Sequence, residues 1–351
     1  MSPSTQRALM QAEKSGPLSI QTTEIYKPLA SEILIRIQAS ALNPVDAASQ
    51  RSGVFIDTYP AVLGLDIAGD VEDIGEGVTD FKKGERVQVF TQGTFEIRSR
   101  AFQQFAAVKA STVARIPDSW SYDQASALPV VVTCAYVGLY NQVPDGLGIP
   151  PPVTEASQGI FNGTAIVVLG GATSVGQIVI QFAKFSGFSP IFTTASSKHA
   201  AYLQNLGATH VFDRNISSSE LSSKIDQLYD ARQVSLVYDA VSSASTQQTG
   251  LDVLSPGGKM AIVLPLSEDV KVPDGKVVSS ILGLMTVPQH RELLETLYHD
   301  KLSGWLESGV IKPNNIEVLP NGLEGIVEGL SRLEAKQISA SKLVAHPQET
   351  I

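Results

Sequence analysis

The sequence predicts an α/β protein: a small, mainly antiparallel β-barrel over residues 1–126, a doubly wound parallel sheet over 127–275, and a segment, 276–351, that returns to the barrel. Three observations carry this. Short strand-like runs with closely spaced glycines fill the first third of the chain. A continuous apolar run at Ala165–Leu169 is cut by Gly170 and Gly171, then followed by apolar residues at helical spacing. From there strand-like runs alternate with helix-length segments up to Leu264, the pattern of parallel strands joined by crossover helices. The 351 residues, 43% hydrophobic and 17% charged, suffice for two well-cored domains.

Glu32–Ala41 (EILIRIQASA) alternates apolar and polar as a strand does, and ALNPVD ends it with a proline. Further short strands follow at Ala68–Ile74, Glu85–Val89 and Phe102–Val108. Asp118–Ala127 reads as a helix entrance, with Ser121 as cap and Asp123 in the first turn, leading into an apolar helix at Val130–Tyr140. Residues 141–163 are rich in Pro and Gly and have no period. A loop of that length is either functional, here as an active-site rim, or disordered. Strands are expected at Pro190–Thr194, His210–Asp213, Ser235–Val241 and Lys259–Leu264. Beyond them lie a helix at Leu293–Leu306 and strands at Ile316–Leu319 and Lys342–Ala345.

The stretch TAIVVLGGATSVGQIVIQFAKFSG, residues 164–187, organises the second part. Ala165–Leu169 has the composition of a strand buried on both faces. Val175, Ile178, Val179, Phe182 and Ala183 form one helix face, so the glycines occupy a tight strand-to-helix turn. Such a turn aims backbone N–H groups and the positive end of a helix dipole at one spot, where a pyrophosphate can sit. The dinucleotide spacing G-x-G-x-x-G is met at Gly171 and Gly176, with Thr173 in place of the middle glycine.

Net charge −9 and the lack of a Lys/Arg run argue against nucleic acid or an anionic membrane as partner. A single cysteine, Cys134, excludes an intrachain disulfide and a multi-cysteine zinc knuckle, and the five histidines have no ligand spacing, so no metal is expected. MSPSTQRALMQ has no apolar core of a leader, and the longest apolar run, Ala127–Tyr140, falls short of a membrane span and contains Pro129. The expectation is a cytoplasmic protein.

Several stretches together resemble the medium-chain dehydrogenase/reductase superfamily over nearly the whole chain. They are ALNPVD (41–46), PAVLGLDIAGDVEDIGEGVTDFKKGERV (60–87), GGATSVG (170–176), LGATHVFD (206–213), LSPGGKMAIV (254–263) and ISASKLV (338–344). The resemblance implies a GroES-like barrel, a Rossmann domain and an active site in the cleft between them. Zinc-dependent members place a cysteine near Pro44 and a His-Glu pair where this chain has Leu65-Asp66, and they add a four-cysteine lobe absent here. The chain is therefore similar to the zinc-free branch, and GGATSVG, ASSKH and VFDR look most like the fungal trans-acting enoyl reductases of polyketide pathways.

That resemblance assigns site residues. Asn43, Pro44, Val45 and Asp46 would line the nicotinamide end, though NPVD also reads as a turn with an Asx cap. Gly171, Thr173, Ser174, Val175 and Gly176 would hold the pyrophosphate. Thr133 falls where this branch puts a hydroxyl near nicotinamide and substrate; it also reads as a helical Thr bonded to its own turn. Tyr136 stands three residues on as a candidate proton donor, and as readily as core. Val263, Leu264, Leu343 and Val344 fall where relatives contact the cofactor with backbone; plain core strand is the other reading.

NADPH is the expected cofactor. Past the glycine turn, where NAD-binding folds carry an acidic residue, this chain has Ala195, Ser196, Ser197, Lys198 and His199, with Arg214 after the third strand. The implied reaction is reduction of a double bond conjugated to a carbonyl in a small-molecule or carrier-bound acyl substrate, with a polyketide synthase as partner. A zinc-free quinone or alkenal oxidoreductase is the alternative, as is an NADPH-binding sensor without turnover. No Tyr-x-x-x-Lys pair is present, which discards a short-chain reductase.

Overall fold

The computed structural model describes residues 4–90, 96–230, 233–284 and 287–351, which form two compact units. One takes the chain up to Val130 together with Leu284–Ser308 and Pro313–Ile351; the other takes Val131–Gly283 and Gly309–Lys312.

The first unit is built on the ten-residue strand Glu32–Ala41. Ile33, Ile35 and Ile37 are fully buried and Arg36 between them is exposed, but the alternation read in the sequence is incomplete, because Leu34 on the other face is buried with Phe105 and Ala107. The strand pairs antiparallel with Asp66–Ile74, Phe105–Lys109 and Ser341–Ala345, and the last of these pairs parallel with Asn315–Val318. The two C-terminal strands thus return to this sheet, as expected. Its core joins Ile33, Ile35, Ile37, Val87 and Val89 to Ile326 and Leu330 of the Glu324–Glu334 helix.

The sequence reading passed over the hairpin Thr5–Gln11/Leu18–Glu24 because its inward positions are partly polar. Gln6 and Gln11 are buried, and tertiary hydrogen bonds satisfy them: Gln6 Oε1 accepts from Phe105 N–H at 2.6 Å, and Gln11 Nε2 donates to Gln50 O at 2.7 Å. The helix entrance forms as read, with Ser121 Oγ accepting from Gln124 N–H at 3.1 Å. The helical region near the end begins earlier than expected, at Pro288, and passes through a π-helical turn at Thr296–Lys301 before Leu302–Glu307.

The second unit is a six-stranded parallel sheet in the spatial order His210–Asp213, Ile191–Ala195, Ile166–Leu169, Leu236–Asp239, Lys259–Ile262, Val277–Ser280. Numbered along the chain this is 3-2-1-4-5-6, with the order reversing between Ile166–Leu169 and Leu236–Asp239. The sixth strand was not expected; only four residues long and half-buried, it carries little period of its own, and it extends the sheet beyond residue 275. The 141–163 loop packs against the edge of the sheet where the strands begin. Lys259 Nζ donates to Leu147 O at 3.1 Å, Phe161 N–H donates to Ser186 O at 3.2 Å, and the Phe161 and Phe188 rings stack at 4.4 Å. The glycine turn lies at the opposite edge, so the active-site rim reading of this loop is replaced by a structural one.

Candidate active site

Within the second unit, the strand Ile166–Leu169 ends at Gly170, whose φ of 78° is left-handed backbone. Gly170 N–H donates to Thr194 Oγ1 and Gly171 N–H to Thr194 O, each at 3.0 Å, which pins the turn to the neighbouring strand. A Cβ at Gly171 would lie 2.1 Å from Thr193 Oγ1, and one at Gly176 would lie 2.4 Å from Gly170 O. Thr173 explains the departure from the glycine fingerprint: it is the N-cap of the Ser174–Ser186 helix, and its Oγ1 accepts from Gly176 N–H at 3.0 Å. The first-turn N–H groups of an α-helix have no intrahelical acceptor, so Ser174 and Val175 head a dipole suited to an anion at the sheet's switch point. A dinucleotide fits this donor set.

The sequence reading missed two braces of this turn. Gln177 Nε2 donates to Ala172 O at 3.0 Å, and Tyr202 OH donates to Gln177 Oε1 at 2.8 Å. It also missed the turn after the fourth strand, where the buried Asp239 accepts from Ser242 N–H at 2.8 Å and Ser242 Oγ accepts from Val263 N–H at 2.8 Å. Leu264 is 53% exposed just beyond the fifth strand, which removes the core-strand reading for it.

Ser196 opens a short 3-10 turn, Ser197–His199, at the end of the second strand, and Arg214 N–H donates to Ala195 O at 3.1 Å from the end of the third. Burial, with the charges of Lys198 and Arg214, holds the His199 imidazole below its usual pKa. These three side chains share one electrostatic neighbourhood. Asp213, the nearest acid in sequence, accepts from Asn215 N–H at 2.8 Å in its own turn.

The other two candidates in this unit lie on the Pro129–Tyr140 helix. Thr133 is buried, its methyl 2.6 Å from where a Cβ would stand at Gly283. Tyr136 is buried with its ring 4.8 Å from that of Tyr140 and 5.6 Å from that of Phe182, and burial pushes the phenol far above its ordinary pKa. That is the core alternative for Tyr136, in a setting unsuited to giving up a proton.

In the first unit, Asn43 precedes the Pro44–Ser52 helix, and its N–H donates to Asp46 Oδ2 at 2.8 Å. Its side chain joins a buried cluster. Asn43 Nδ2 donates to Asp66 Oδ2 at 2.9 Å, while Lys342 Nζ donates to Asn43 Oδ1 and, at 3.1 Å, to Asp66 Oδ2. Asp66 Oδ1 accepts from Val130 N–H at 2.7 Å. Burial raises the Asp66 pKa, opposed by Lys342, Asn43 and the Val130 N–H. Burial also raises Asp46, to about 7, although the Asn43 N–H opposes it. Asp46 lines a small cavity with Val45, Ser49, Phe55, Leu65 and Arg100.

Leu343 and Val344 are core strand: Leu343 O accepts from Leu42 N–H at 2.9 Å and Val344 O from Leu319 N–H at 2.8 Å. Among the described residues no group of three His, Cys, Asp or Glu side chains is placed to hold a metal ion, and no helix is long and apolar enough to cross a membrane.

Comparison with known proteins agrees with this architecture. Residues 30–118 match the alcohol dehydrogenase GroES-like domain, and residues 174–281 match the zinc-binding dehydrogenase domain. A trans-enoyl reductase of Gibberella fujikuroi is 30% identical over 96% of this chain and 98% of its own. The dehydrogenase pigH of Monascus ruber is 37% identical, over 60% of this chain and 58% of its own length. The crystal structure of a Pseudomonas syringae quinone oxidoreductase covers 97% of this chain and 99% of its own, with a TM-score of 0.76 and 25% identity.

Proposed function

The chain belongs to the medium-chain dehydrogenase/reductase superfamily, and on that premise we propose that it is an NADPH-dependent reductase of double bonds conjugated to a carbonyl, acting on an enoyl thioester of a polyketide-like chain. The observation that carries the reading is the chemistry at the two positions where zinc-dependent relatives hold ligands. Pro44 and Leu65 offer no lone pair, and the neighbouring Asn43 and Asp66 are engaged with Lys342. Zinc does not fit this donor set. Without a Lewis acid, and without a Tyr-x-x-x-Lys acid, an isolated ketone is a poor acceptor; a conjugated one spreads the incoming charge onto an enolate.

NADPH, when bound, supplies the hydride that the β-carbon of the substrate accepts. The helix N-terminus at Ser174 and Val175 would receive the pyrophosphate, with Gly171, Thr173 and Gly176 shaping the turn that presents it. Ser196, Ser197, Lys198, His199 and Arg214 hold the 2′-phosphate, where a carboxylate would repel it. Thr133 would orient nicotinamide and acyl carbonyl. One hydrogen bond to the enolate oxygen contributes about 10²–10³ in rate. With Tyr136 in an aromatic core, the α-carbon takes its proton from water. The substrate is free or carrier-borne, with a polyketide synthase as partner in the cytoplasm.

Labelled NADPH tests the reading: deuteride should appear at the β-carbon of an enoyl thioester. Reduction at the carbonyl, or of quinones alone, would overturn it. The likeness to the Pseudomonas syringae quinone oxidoreductase favours quinones as the second reading. An NADPH oxidation screen with enals, enones and quinones separates either enzyme from a sensor that binds without turnover.

A further inference from the structure

The buried cluster in the first unit joins segments far apart in the chain. Asn43 stands at the head of the NPVD turn, Asp66 in a barrel strand, Val130 in the first turn of the Pro129–Tyr140 helix, and Lys342 in the strand Ser341–Ala345. Asn43 is 1% exposed, Asp66 0% and Lys342 5%. A buried ion pair is weak support for stability, because removing the two charges from water costs several kcal/mol and apolar replacements are often neutral or stabilising. Its geometry is specific, however. Asp66 accepts from three partners, and the Asn43 amide is fixed at both ends, its oxygen on the ammonium and its nitrogen on the carboxylate. The residue before Pro129 is Leu128, whose side chain cannot cap a helix, so Asp66 supplies the acceptor and the negative charge at that helix start from a distance.

We propose that Lys342 is a positioning residue: through Asn43 and Asp66 it sets the 43–46 turn and the start of the 129–140 helix that carries Thr133. This rests on the reductase reading, in which Thr133 orients the reacting groups. The Asn43 side chain then acts by holding the turn, because its amide is engaged within the cluster. A displacement of about 1 Å at a hydride-transfer site can cost on the order of 10² in rate.

Three variants of the full chain test this. Lys342→Met leaves Asp66 buried without its cation and should lower both Tm and kcat. Lys342→Met combined with Asp66→Asn removes both charges; it should recover most of the Tm while kcat stays at least about tenfold down and KM for NADPH moves little. Lys342→Arg should restore part of the kcat lost in Lys342→Met. Hydrogen exchange supplies a readout independent of turnover: amides of 43–52 and 129–134 should exchange faster in the double variant than in the wild type, with 170–176 unchanged. A double variant with wild-type kcat, or with unchanged exchange at both segments, overturns the proposal. A wild type that binds NADPH but reduces no enoyl thioester sinks the reductase reading instead, and exchange then decides whether Lys342 positions these segments.

Discussion

Asp46 sits in the first turn of a helix, where the dipole favours a carboxylate, yet burial raises its pKa from 3.8 to about 7. The folded state therefore keeps a proton that the unfolded chain releases. The contribution of this group to stability is full below pH ~4 and declines as pH rises to about 7. Asp46→Asn cannot titrate, so its stability relative to wild type should improve between those limits, by at most on the order of 4 kcal/mol at ~1.4 kcal/mol per pH unit. Thermal melts at pH 5 and pH 8 check this; the same difference at both would remove the argument. Lys198 and Arg214 place two positive charges beside the His199 imidazole, which burial and these charges hold below its usual pKa. An arriving 2′-phosphate would meet both charges. Lys198→Glu should weaken NADPH by about tenfold to a hundredfold, at roughly 1.4 kcal/mol per tenfold, and NADH by much less. Equal losses in fluorescence titrations would count against NADPH.

At the scale of elements, the turn between Leu169 and Ser174 depends on how closely backbone meets backbone. A Cβ at Gly176 would stand 2.4 Å from a carbonyl oxygen, which has no rotamer by which to move aside. Gly176→Ala gains about 1 kcal/mol of intrinsic helix propensity and still should lose. We expect a lower Tm and NADPH affinity reduced at least about tenfold, since the first-turn N–H groups would shift from the pyrophosphate. A Tm at or above wild type with unchanged affinity would show that the helix can slide. Element boundaries followed turn chemistry where it was strong: Glu32–Ala41 and His210–Asp213 form over the residues expected, and Ser121 caps. They escaped notice where local pattern was weak, as in the half-buried strand Val277–Ser280 and the glutamine-bearing strand Thr5–Gln11.

For the molecule as a whole, two compact units take discontinuous stretches of chain, and the C-terminal strands join the sheet begun near the N-terminus. That return brings Lys342 to Asn43 and Asp66, and it gives Leu343 and Val344 barrel hydrogen-bond partners. A lysine ammonium from the last strand thus comes to the buried carboxylate of Asp66.

By itself the sequence determined the α/β class, the barrel before the nucleotide fold, the glycine turn and the basic residues after the second parallel strand. Each is a local matter of hydrophobic period, turn residues or charge, legible within a few positions. The tertiary structure alone decided that Thr173 caps rather than merely interrupts the fingerprint, that Tyr136 belongs to an aromatic core, and that the 141–163 loop braces the far edge of its sheet. It alone brought together Lys342 and Asn43, 299 residues apart in the chain. Such partners are chosen by sheet register and burial, and no local pattern encodes which distant side chain a buried amide or carboxylate will meet.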